Sequence, residues 1–158
     1  MYRLVYILQV LGLFFIVGPK LKTSNDNAKA KLYRAFNSIM GKIGRLASNE
    51  VTVSRIKAKC LFILLYGTET CHFSVRETTS LECPISCALI KGFNIKSSEI
   101  LKNYKPAFGF RPFALSVAIR KRHFYNKYAP TDNALCQAIT AFTLSRDYVA
   151  NEAVIAKH

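Results

Sequence analysis

Residues 28–71 read AKAKLYRAFNSIMGKIGRLASNEVTVSRIKAKCLFILLYGTETC. Ala28, Leu32, Ala35, Phe36, Ile39, Met40 and Ile43 recur at three- and four-residue steps. That spacing predicts a helix with one buried face. Ser24-Asn25-Asp26 supplies side-chain oxygens to cap it, with its start near Asn27. Ser48 caps a second helix, and Glu50 falls in its first turn, where the dipole favours an anion. Val53, Ile56, Cys60, Ile63 and Leu64 form that helix's stripe, and Gly67 ends it. Phe62–Tyr66 is apolar all round, which predicts deep burial of this end.

The cations of the same stretch lie mostly off the apolar faces. Residues 20–60 hold ten of them: Lys20, Lys22, Lys29, Lys31, Arg34, Lys42, Arg45, Arg55, Lys57 and Lys59. Only Asp26 and Glu50 oppose them. The chain of 158 residues carries a net charge of +14. A folded domain this basic repels itself unless a polyanion is near, so nucleic acid leads and anionic membrane is second. A hydrophobic fraction of 51% argues against global disorder.

Outward from this block, Leu4–Val17 is almost wholly apolar behind Arg3. It imitates a signal-peptide core or a short anchor, but Gln9 and Gly12 dilute it and no A-x-A-like cleavage site follows. Its Val, Ile, Tyr and Phe fit one or two buried strands, broken by Gly18-Pro19. Downstream, Thr68–Thr79 reads as a polar loop. Ser80 is placed as the cap of a third helix through Lys91, with Pro84 in its first turn. A short helix is expected at Ser98–Asn103 and a turn at Phe108-Gly109-Phe110. Pro112 opens a helix through Tyr128. A last helix, capped by Thr131 or Asp132, runs through about Phe142. The expected fold is mainly α: a short N-terminal strand segment followed by about five helices. The expected divisions are residues 1–19, the helical 20–142 and a tail at 143–158.

Two-metal catalysis needs converging carboxylates. The acids here are Asp26, Asp132, Asp147, Glu50, Glu69, Glu77, Glu82, Glu99 and Glu152, and no two are adjacent. No P-loop, dinucleotide-binding glycine pattern or G-x-S-x-G occurs. The chain therefore reads as neither an enzyme nor a cofactor protein, and no catalytic or metal residue is assigned. Five cysteines make no framework. Cys71, His72, Cys83 and Cys87 match no compact zinc finger, and packing of the thiols in the core is preferred. Cys60, within an apolar helical run, reads as a buried reduced thiol, which favours a reducing, intracellular setting.

A second basic segment spans Arg120, Lys121, Arg122, His123, Phe124, Tyr125, Asn126, Lys127 and Tyr128. Cations attract phosphate and aromatic faces can stack on bases. On a helix Phe124 and Tyr128 are also four apart, and a buried stripe is the preferred role for them.

Several blocks resemble, in order, the C-terminal flank of reverse transcriptases from non-LTR (LINE-like) retrotransposons of animals. They are Tyr33-Arg34-Ala35-Phe36-Asn37-Ser38-Ile39, Gly41-Lys42-Ile43-Gly44-Arg45, Ile56-Lys57-Ala58-Lys59-Cys60 and Leu64-Leu65-Tyr66-Gly67-Thr68-Glu69-Thr70-Cys71. Weaker likenesses are Ala107-Phe108-Gly109-Phe110 and Asp132-Asn133-Ala134-Leu135-Cys136. Val10-Leu11-Gly12-Leu13 looks like the strand that ends the palm, with Val10 where the family has Tyr. The resemblance implies a thumb-side fragment, from a truncated reading frame, that holds RNA, DNA or their hybrid without sequence preference. It departs from the family in lacking fingers, palm aspartates and endonuclease, and residues 72–82 and 143–158 fit poorly. The expected binding residues are Lys29, Lys31, Arg34, Lys42, Arg45, Arg55, Lys57 and Lys59, with Arg120, Lys121, Arg122 and Lys127. Two further expectations stand beside this one: a small basic membrane-associated protein anchored by residues 4–17, and an expressed remnant without function.

Overall fold

The computed structural model describes residues 6–10, 13–17, 22–43, 47–69, 71, 73–128, 130–134, 136–137 and 149–156. Strands β1 (Tyr6–Val10), β2 (Leu13–Val17) and β3 (Lys22–Ser24) form an antiparallel sheet in that order. Tyr6 lies opposite Val17 and Val10 opposite Leu13, while Phe14 pairs with Ser24. Within the apolar run, Tyr6–Val10 and Leu13–Val17 therefore pair as a hairpin. Val10-Leu11-Gly12-Leu13, expected along one strand, instead straddles the reversal between two, and Leu11 and Gly12 lie outside the described residues. β3 was not anticipated, because three residues are too short for a period-2 pattern. Among the described residues no helix is long and apolar enough to cross a membrane.

Everything described after the sheet is helical or connecting chain. Helix α1 (Asp26–Ile43) starts with Asp26 in its first turn, beside the Lys29 N–H bond to the Asn25 carbonyl. Helix α2 (Asn49–Arg55) is capped by Ser48, whose hydroxyl accepts from the Val51 N–H at 3.4 Å. It runs directly into a π-helical segment, Ile56–Leu61, and then α3 (Phe62–Leu65). Gly67 follows in the left-handed conformation at φ 72°.

The π-helical segment explains how the second stripe stays buried. Thr52, Ile56, Cys60 and Leu64 are all buried, at steps of four. At 3.6 residues per turn each step of four overshoots a turn by about 40°. A π turn, at about 4.4 residues, undershoots by a similar amount. Mixing the two holds one row against α1. The same geometry corrects the expectation for the apolar end of this rod. Leu64 and Leu65 are buried, but Phe62 is 57% and Tyr66 49% exposed.

Helix α4 spans Val75–Phe93, so it starts well before the expected Ser80. Its cap is Ser74 in a full capping box: Ser74 Oγ accepts from the Glu77 N–H at 3.3 Å, and Glu77 Oε2 accepts from the Ser74 N–H at 2.8 Å. Thr78 and Thr79 return their hydroxyls to the carbonyls four residues back. The expected loop thus yields its second half to helix, and Pro84 stands in the helix interior with no N–H to give the Ser80 carbonyl. Helix α5 (Ser98–Ala107) is capped by Ser97 and outruns the expected Asn103. Gly109, at φ +66°, turns the chain into α6 (Phe113–Tyr128). Of the helix expected from Thr131 or Asp132 up to Phe142, residues 134, 136 and 137 are helical and 131–133 are connecting chain; 135 and 138–142 lie outside the described residues. Helix α7 (Val149–Ala156) packs on α6 and falls in the tail left unassigned from sequence.

The core lies where α1, the π segment and α3, α4, α5 and α6 meet. Leu32, Phe36, Ile56, Leu64, Leu81, Leu89 and Phe113 are its fully buried large side chains. Burying a side chain of this size from water is worth roughly 1.5–3 kcal/mol. This core fixes α1 and the α2–π–α3 rod side by side, which positions the basic residues.

Candidate nucleic-acid interface

A groove of about 730 Å³ runs between α1 and the α2–π–α3 rod. Its basic groups are Lys42 from the last turn of α1, Arg55 from the end of α2 and Lys59 from the π segment. All three are exposed. Ile39, Ile43, Ala58, Phe62 and Ile63 line the apolar part between them. No carboxylate is among its described lining residues. Lys31, Arg34 and Lys42 follow one side of α1, at spacings of three and eight, so Lys31 and Arg34 extend the basic edge. Both are exposed. Such a surface offers phosphate attraction at the rim and flat apolar contact within.

Other expected residues are placed differently. Lys29 Nζ donates to Ser80 Oγ at 2.7 Å and lies 3.8 Å from Asp26, which ties it to the α1–α4 contact. Lys57 is half-buried, with Nζ 5.1 Å from the Phe110 ring centroid. A Cβ on Gly109 would stand 2.9 Å from that Nζ. Arg45 lies outside the described residues.

The second basic segment is not a free cationic face. The buried stripe of α6 is Phe113, Val117, Ala118, Lys121 and Tyr125, and Lys121 is only 6% exposed. Its position four residues from both Val117 and Tyr125 puts it on the inward row. The stripe therefore passes through Tyr125 rather than Phe124, which is half-buried. Arg120 Nε lies 3.5 Å from Glu69 Oε2, and its guanidinium lies 6.0 Å from the Phe62 ring centroid. Arg122 pairs with Glu152 on α7 at 3.7 Å. Lys127 and His123 are exposed. The segment thus anchors α6 to its neighbours more than it faces outward.

The thiols divide into two kinds. Cys60 and Cys71 are buried, and burial pushes the Cys60 thiol up to about 11. Cys83 and Cys87, expected in the core, are exposed on α4 with their sulfurs 4.0 Å apart. Contact with Cys87 raises the Cys83 thiol, burial adds to this, and Lys29 and Lys105 oppose it. Among the described residues no group of three or more metal-ligating side chains converges. His72 lies outside them.

Sequence reasoning missed Phe62 as a groove residue. The signal was present: Phe62 falls between Cys60 and Leu64 and off the four-step row. No protein-family model, curated protein or solved structure matches the chain.

Proposed function

We propose that this chain is a non-catalytic unit that grips nucleic acid without sequence preference, the thumb-side part of a LINE-like reverse transcriptase. The observation that supports this best is the groove that gathers Lys42, Arg55 and Lys59 around apolar contacts, beside the exposed Lys31 and Arg34. The cations reach phosphates, which every sequence presents alike. The apolar strip favours sugar and base faces over a bare phosphate surface. The family reading comes from the ordered sequence blocks, and three of them, two in α1 and one in the π segment, border the groove.

The test is the affinity of the purified chain for an RNA–DNA hybrid duplex as a function of salt. The logarithm of affinity should fall linearly with the logarithm of salt concentration. Affinity should not depend on base sequence. Absence of salt-sensitive binding to the hybrid, with tight binding to anionic vesicles instead, overturns this function in favour of a membrane-surface role.

A further inference from the structure

On the other side of the α1 C-terminus a second pocket, of about 800 Å³, opens between α4, α5 and the start of α2. Three rings are laddered beside it. Phe93 and Phe108 stack with centroids 5.2 Å apart and planes 19° apart; Phe108 and Tyr104 stack at 6.0 Å and 26°. Tyr104 is the outer rung and is 51% exposed. Ile100, one turn before it, is 46% exposed. Lys91 and Lys96 line the same pocket with Asn49 and Asn94, and no carboxylate is among its described lining residues.

The wall that carries the lysines is fixed by backbone. Asn94 closes α4 in the left-handed conformation, at φ 52° and ψ 40°. The Ile95 N–H then donates to the Ile90 carbonyl at 3.0 Å. This reversal brings Lys96 back to the pocket that Lys91 lines from the last turn of α4. A flat aromatic platform, side-chain amides and two cations together suit a planar, hydrogen-bonding, anionic group.

We propose that this pocket takes one unpaired nucleotide of a nucleic-acid strand, with the base on the outer face of Tyr104 and its phosphate between Lys91 and Lys96. The amides of Asn49 and Asn94 offer both donors and acceptors to a base edge. This proposal rests on the nucleic-acid reading of the groove and adds a preference for single-stranded ends over blunt duplex.

Two probes separate the pocket from the groove in a fluorescence-anisotropy titration of the full chain. One is a blunt RNA–DNA hybrid; the other is the same hybrid with a short single-stranded overhang. The overhang should bind about tenfold tighter, the order of gain that stacking one base supplies. Tyr104→Ala should erase that gain and leave blunt-end affinity unchanged, while Tyr104→Phe keeps it. Equal affinity for the two probes, or a gain that survives Tyr104→Ala, overturns the pocket proposal and leaves the groove reading intact. If neither duplex binds, the groove reading fails together with the preference for single-stranded ends, and the nucleotide site is tested by itself. A titration with uridine monophosphate, read by NMR shifts on α5, then decides the pocket: shifts lost in Tyr104→Ala support it, and no shifts overturn it.

Discussion

Lys121 and Cys60 show how one position on a helix decides what a side chain can do. Lys121 belongs to a run of cations, yet it lies between Val117 and Tyr125 on the inward row of α6 and is 6% exposed. That burial takes its methylene stem out of water. Lys121→Ala should therefore cost about 1–3 kcal/mol of stability in urea unfolding. If the groove binds nucleic acid as proposed, the salt dependence of that binding should stay unchanged, because Lys121 is buried. Cys60 gives a pH prediction. Burial raises its folded-state thiol from 9.0 to about 11. In that window the folded state holds a proton that the unfolded state has lost, so stability falls as pH rises. Its contribution is intact below pH 9 and disappears through pH 11. Urea melts between pH 8 and 11 should show this decline, and Cys60→Ala should flatten it. Native alkylation at pH 8 should label the exposed Cys83 and Cys87 well before Cys60.

At the scale of elements, local chemistry was legible where one signal dominated. α1 and α6 occupy nearly the spans their periodicity and flanking residues define, and Ser48 caps α2 as its position implies. α4 was harder because two signals competed. Pro84 favours a helix start near Ser80, while Ser74 and Glu77 mark one six residues earlier. The capping box prevails: it satisfies backbone donors at a real terminus, and Pro84 is tolerated as a buried residue in the helix interior. Ser74→Ala should thus lower stability by about 1 kcal/mol. Amide exchange should quicken through Val75–Ser80 while Leu81–Leu89 stays protected. If exchange is unaltered in that first turn, the cap does not hold the start of α4. The π segment gave no readable sequence signal. Its cause is tertiary: packing against α1 favours a straight apolar row from Ile56 through Cys60 to Leu64, and an α-helix alone would rotate that row away.

At the scale of the whole molecule, the question is whether the net charge of +14 acts as a diffuse cloud or through a site. The sequence displayed the excess of cations but not their distribution. Folding sends Lys121 inward, sets Arg120 and Arg122 against Glu69 and Glu152, and draws Lys57 over Phe110. It leaves Lys42, Arg55 and Lys59 converging on one groove. Surface pairs of this kind contribute little to stability, so their main effect is to withdraw cations from outside partners. Two triple variants with the same change in net charge separate cloud from site. Lys42→Ala with Arg55→Ala and Lys59→Ala removes the groove cations. Arg76→Ala with Lys102→Ala and Arg111→Ala removes three exposed cations outside the groove. Each phosphate contact contributes about −0.9 to the log–log salt slope on duplex DNA. The groove triple should flatten the hybrid-binding slope by up to about 2.7 and the control triple by far less. Equal flattening by both would mean that charge acts as a cloud, and the groove would lose its standing as a site. Equilibrium titrations across a salt series, on variants with matched melting curves, make the distinction.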